Sequence, residues 1–153
     1  MWKNEWLTDD ETALGALNFL SQKGRTVNKR LLKHAKQPHG IDLVVKLENE
    51  KGRGNRYFIT AKGNLQYDGT KVRPFIDPVL YLALMQMILR INVSSTRYNY
   101  IYGVAVPESE IPQCIALIRG NKAFRQLKIR LYGVYTEKGR LCATEYLPKE
   151  IYS

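Results

Sequence analysis

Two β-rich runs lying close together constrain this chain more than any other feature. Ile41-Asp42-Leu43-Val44-Val45 and Tyr57-Phe58-Ile59-Thr60-Ala61-Lys62 are separated by the hydrophilic segment Glu48 to Asn55, which contains two glycines. Branched and aromatic residues bounded by polar, glycine-bearing sequence read as two strands joined by a hairpin connection. Each run carries a polar residue, Asp42 in the first and Lys62 in the second. Successive strand residues alternate between faces, so Thr60 and Lys62, two apart, share one.

The flanking sequence supplies the partners such a hairpin needs. Thr8 with Glu11 three residues on has the form of a capping box. It predicts a helix over roughly 9 to 22, with Ala13, Leu14, Leu17 and Leu20 on its buried face and Lys23-Gly24 closing it. In residues 25 to 33, Val27, Lys29 and Leu31 alternate as in a strand, while Leu31, Leu32 and Ala35 also fit a helix; the strand is the preferred reading. Gln37-Pro38-His39-Gly40 is a turn. Asp77-Pro78 gives an N-cap and a first-turn proline for a helix of about 78 to 91. Strands are expected over Tyr98 to Pro107, Lys128 to Tyr135 and Leu141 to Tyr146, with a helix near 109 to 119 that buries Ile111, Ile115 and Ile118. The order α-β-β-β-α-β-α-β, with the last strand added, implies an α/β fold: a mixed sheet flanked by helices on both faces. No repeat, low-complexity tract or Pro/Ser-rich linker interrupts it, so residues 1–153 read as one domain.

Composition narrows the class of function. Hydrophobic residues make up 44% and charged residues 25%, as in a folded globular protein. The longest apolar run, Val79 to Ile91, is broken by Gln86 and Arg90 and is too short to span a bilayer. The opening Met1-Trp2-Lys3-Asn4-Glu5 lacks the apolar stretch of a signal peptide, and two cysteines make neither a disulfide framework nor a zinc cluster. A cytoplasmic protein without membrane attachment is expected. Twenty-four Lys and Arg against fourteen Asp and Glu give a net charge of +10. Residues 12 to 41 hold six of these bases (Lys23, Arg25, Lys29, Arg30, Lys33, Lys36) and no acid. Such a block fits a phosphate-binding face, and equally a solvated surface. His34 and His39 lack a partner at ligand spacing and read as loop residues, and the tyrosines at 98, 100 and 102 read as core.

Asp42 on one strand with Thr60-Ala61-Lys62 on the next resembles the signature of the PD-(D/E)xK nuclease superfamily, which includes restriction enzymes, Holliday-junction resolvases and RecB-type nuclease domains. The likeness runs over about residues 9 to 135. It implies a restriction-endonuclease-like core and a hydrolase, endonuclease or exonuclease, that uses Mg²⁺ or Mn²⁺ on DNA, in many members as a homodimer. By that resemblance Asp42 is a metal ligand, Lys62 helps to activate water or stabilise the transition state, and Glu11 matches an extra acid of the first helix. The departure is Thr60, which stands where the family has Asp or Glu; a neutral hydroxyl weakens metal binding. Asp77, with Asp68 behind it, is the substitute acid, a role compatible with its N-cap position. Lys29, Arg30, Lys33 and Lys36 are expected to track the DNA backbone.

Three functions remain open at this point. The first is a divalent-metal phosphodiesterase acting on DNA, with catalytic positions Asp42, Thr60, Lys62 and Asp77. The second is a nuclease fold without catalysis that binds nucleic acid or a protein partner. The third is a basic domain that binds RNA or a ribosome by charge alone.

Overall fold

The computed structural model describes residues 6–23, 25–33, 41–48, 54–72 and 98–153, with backbone alone for 25–33, 41, 42, 44, 48, 98 and 99. The capping box forms as read: the Thr8 N–H donates to Glu11 Oε1 at 3.0 Å and the Glu11 N–H to Thr8 Oγ1 at 3.2 Å. It opens α1, Asp9–Lys23, whose first turn holds Asp9, Asp10 and Glu11 and whose last holds Lys23, the charge order favoured by the helix dipole. The buried stripe is Ala13, Ala16, Leu17 and Leu20, and Leu14 is 44% exposed, which corrects its expected place in the core. A Cβ at Gly15 would collide with Val134, so α1 lies too close to the sheet there for a large side chain. The small residues therefore turn inward, and Leu14 turns out.

Five more elements follow the sequence reading closely. They are β1 (Arg25–Lys33), β2 (Ile41–Glu48), β3 (Gly54–Ala61), β4 (Tyr98–Pro107) and β6 (Arg140–Tyr146). After β4, a 3₁₀ turn at Glu108–Glu110 leads into α2 (Ile111–Ile118), and a short α3 (Lys122–Gln126) precedes β5 (Arg130–Glu137). α4, Pro148–Ile151, closes the series. β5 begins later than the expected Lys128 because Lys128 adopts a left-handed φ of 53° where α3 ends. The helix expected over 78–91, with Asp77 at its start, lies outside the described residues.

The strands form a mixed sheet in the order β1-β2-β3-β4-β5-β6. β1–β2, β2–β3 and β5–β6 pair antiparallel, and β3–β4 and β4–β5 pair parallel. Helices cover both faces. α1 packs on the face made by Leu43, Val45, Leu47, Tyr57, Ile59, Ala61, Tyr132 and Val134. The opposite face, with Phe58, Val104, Val106 and Leu131, meets Ile111, Cys114 and Ile118 of α2, Phe124 of α3, and Ile151 and Tyr152. Glu145 ties α1 to β5 and β6: it accepts from Lys23 at 2.6 Å and from the buried Tyr132 hydroxyl at 2.8 Å, with Arg130 at 3.4 Å. No helix among the described residues is long and apolar enough to cross a membrane.

The segment after β3 is fastened to the start of α1. Asn64, 1% exposed, accepts from the Leu7 N–H at 2.8 Å and donates through its own N–H to the Leu7 carbonyl at 2.9 Å. Asn64→Ala leaves the buried Leu7 N–H without its acceptor and should cost about 1–3 kcal/mol. Urea unfolding followed by circular dichroism would measure this. Asn64→Asp keeps the acceptor but sets a second carboxyl against Glu110 Oε1, to which the Asn64 amide donates at 3.4 Å, so its loss should be smaller at acidic than at neutral pH.

Candidate functional site

The β2–β3 register makes Asp42 the cross-strand partner of Thr60. Lys62 lies one residue beyond β3, and its N–H donates to the Ala105 carbonyl at 2.9 Å, which continues the parallel ladder and its alternation. Positions 42, 60 and 62 therefore share one face of two neighbouring strands. It is the face of Phe58, Val104 and Val106, opposite to α1. Thr60 is 1% exposed, and Lys62 is half-buried at the strand's end. Burial this deep suits a neutral hydroxyl; an ionised carboxylate at position 60 would need a compensating cation.

The other sequence candidates are distributed more widely. Glu11 is taken up by the capping box at the start of α1, where its Oε1 accepts from both the N–H and the hydroxyl of Thr8. The acid that reaches the end of β3 is instead Asp9, whose Oδ1 accepts from the Gly63 N–H at 2.6 Å. Asp68 sits in an exposed turn, where the N–H of Thr70 at 2.8 Å holds its carboxyl below the usual range. Asp77 and Lys36 lie outside the described residues. In the basic block, the register aligns Lys29 with Val45 and Lys33 with Ile41, the α1-facing set of positions, and Arg30 with Val44, the face of position 42. By register alone, positions 29 and 33 fall in one set along β1 and position 30 in the other. Lys23 pairs with Glu145. Among the described residues, no group of three or more His, Cys, Asp or Glu is arranged to hold a metal ion.

Two features of this face were not anticipated. Lys46 and Arg56 are cross-strand partners, like charges directly opposed, which is unfavourable unless something else stabilises them. The Arg56 guanidinium lies 5.2 Å from the centre of the Phe58 ring, and Phe58 in turn stacks on Tyr100 and Tyr102, each with ring centres 6.1 Å apart. The Arg56 Nε is buried without a hydrogen-bond partner. Reading every second residue back from Lys62 (Thr60, Phe58, Arg56) would have revealed this strip from the sequence.

The second is Glu108, just past β4. It accepts a short hydrogen bond from the Tyr146 hydroxyl, and its Oε2 is buried with no partner. Gly133 makes room for it, since a Cβ there would collide with the carboxylate. Burial raises the Glu108 carboxyl above its ordinary value, against the opposing effect of the Tyr146 hydrogen bond. This carboxylate faces β5, two strands from Thr60, so it does not replace the acid that Thr60 lacks. Because its pKa is raised on folding, it contributes stability below its unfolded value that is lost as pH rises through the folded one. Glu108→Gln keeps an acceptor for Tyr146 and removes the charge. Its Tm relative to the unaltered protein should increase as pH is taken from about 4 to about 7; a difference that does not change with pH would mean the carboxyl is not desolvated.

Comparison with protein-family models, with curated proteins and with solved structures finds no match for this chain, so its own residues and their geometry carry the functional reading.

Proposed function

We propose that this chain is a restriction-endonuclease-like protein that hydrolyses DNA phosphodiesters with Mg²⁺ or Mn²⁺. One observation carries the reading: the β2–β3 register sets Asp42 opposite Thr60, with Lys62 two residues on. A carboxylate and a hydroxyl at neighbouring positions of one sheet face offer oxygen ligands that would suit a hard cation keeping most of its own waters, and the lysine beside them would meet the phosphate rather than the metal. The order α1-β1-β2-β3 followed by a parallel β4 agrees with the resemblance, and a net charge of +10 favours a polyanionic substrate.

In this reading Asp42 binds the cation, which supplies positive charge against the negative charge building on the phosphoryl oxygens. Lys62 hydrogen-bonds and orients the attacking water and offsets charge in the transition state. Thr60 lends a hydroxyl but no charge, so a second carboxylate is required, and Asp77 is assigned to it. Thr60 also favours a second reading, a nuclease scaffold that binds nucleic acid or a protein partner without cutting: a buried neutral residue is stable there with no metal at all.

Supercoiled plasmid incubated with Mn²⁺ or Mg²⁺ should be nicked, and chelation should stop it. Asp42→Ala, Lys62→Ala and Asp77→Asn should each slow cleavage about a hundredfold or more, since each removes a charge contact that matters in the transition state. Cleavage that survives Asp42→Ala would overturn the assignment, and a wild type that binds DNA but never cuts would establish the second reading.

Thr60→Glu tests the same site through stability. Inserting a carboxylate at a 1% exposed position should lower Tm in chelator and recover it when Mn²⁺ is added, because a ligand that binds only the folded state stabilises it. A Tm indifferent to metal would mean no cation is held beside position 60.

A further inference from the structure

Residues 119–130, Arg-Gly-Asn-Lys-Ala-Phe-Arg-Gln-Leu-Lys-Ile-Arg, carry five bases and no acid. Arg130 turns to Glu145 on the α1 side of the sheet. The other four, Arg119, Lys122, Arg125 and Lys128, are exposed, as is Lys149 of α4. Arg125, Lys128 and Lys149 line an open depression of about 330 Å³ together with Pro148 and Tyr152. The neighbouring acid in sequence, Glu150, is directed at the Leu147 N–H, which it accepts at 3.3 Å to close the first turn of α4.

Two details set this patch apart from a merely solvated face. The arginines are held in place: Arg119 Nε donates to the Ile151 carbonyl and Arg125 Nη2 to the Tyr152 carbonyl, each at 3.0 Å. Each therefore presents the rest of its planar fork of donors in a fixed orientation, the arrangement that suits phosphate oxygens. Lys128 occupies a left-handed position, φ 53°, at the end of α3. Glycine is the favoured residue at such a helix end, and a lysine there sacrifices local stability for an added cation.

We propose that this surface is a docking site for the phosphodiester backbone of nucleic acid, separate in sequence from the block at 12–41. It rests on the proposed function in one respect: α3 and α4 pack on the same sheet face as positions 42, 60 and 62. Leu131, three residues after Lys128, lies two strands from Thr60 through Val104, roughly 10 Å at ordinary strand spacing. Val104 and Leu131 are themselves buried beneath α2 and α3, so this spacing places the patch on the same side of the sheet as the candidate site and sets no path between them. Fixed arginine forks favour a polymer with fixed phosphates over a fluid layer of headgroups.

The test is binding of fluorescein-labelled 20-nucleotide DNA, single-stranded and duplex, by anisotropy in chelator over a range of salt. The variant is Lys122→Ala with Lys128→Gly and Lys149→Ala, which spares both anchoring arginines. Affinity should fall at least tenfold, and the slope of log affinity against log salt should shrink by roughly 0.7–0.9 per lost contact. Lys128→Gly alone should weaken binding while raising Tm by a few degrees, a combination that simple unfolding cannot produce. An unchanged salt slope in the triple variant would overturn the proposal, as would its losing affinity for phosphatidylserine vesicles but not for DNA. Because no cleavage is measured, failure of the catalytic reading leaves this result standing: Asp42→Ala should leave the salt slope as it is.

Discussion

Along β3 every residue from Tyr57 to Ala61 is at most 6% exposed, with alternate side chains packed against α1 and against the α2 side. A strand closed in on both faces has no freedom of register: slipping it by one residue would exchange Ile59 with Thr60 and drive a hydroxyl into the α1 core. Burying such an aliphatic side chain is worth roughly 1.5–3 kcal/mol, and the slip would forfeit several of these at once. The same strand pairs antiparallel on one side and parallel on the other, so it also fixes where β2 and β4 lie. The pairing of positions 42 and 60 is a by-product of hydrophobic burial. It would persist whatever polar residues stood there.

The two sides of the sheet differ in how they handle charge. On the α1 side, Glu145 gathers Lys23, Arg130 and the Tyr132 hydroxyl, and the charges balance locally. On the other side lie the opposed Lys46 and Arg56, the unpartnered Arg56 Nε and the unpartnered Glu108 Oε2. Desolvated polar atoms without partners are costly, and folded proteins hold few of them. Among the described residues, both such atoms lie on this side.

Much of the fold was legible because its signals are local. Thr8 and Glu11 specify a helix start within four residues, and two strand-forming runs so close in sequence pair antiparallel, as β2 and β3 do. The placement of Leu14 was not legible. Hydrophobicity ranks leucine above glycine and alanine, but the closeness of α1 to Val134 admits only small side chains, and that closeness is a property of the assembled sheet. The partnership of Glu108 with Tyr146 spans 38 residues and leaves no local trace. At the candidate site, the adjacency of the strands that carry positions 42 and 60 was legible, and their direct opposition comes from the register of the folded sheet. The alternation of positions 29, 30 and 33 follows from strand geometry, and the register shift between Thr26 and Asn28 lies before them.

The anchoring of α4 sets what its opening would uncover. Ile151 and Tyr152 belong to the core opposite α1, Tyr152 donates to the Ile129 carbonyl at 2.9 Å, and the carbonyls of both are held by Arg119 and Arg125. A single short turn gives way more readily than the sheet it covers, and its release would bare Phe124 and Ile129 while the α1 side stays packed. Local unfolding can thus begin on the α2 side without disturbing the strands.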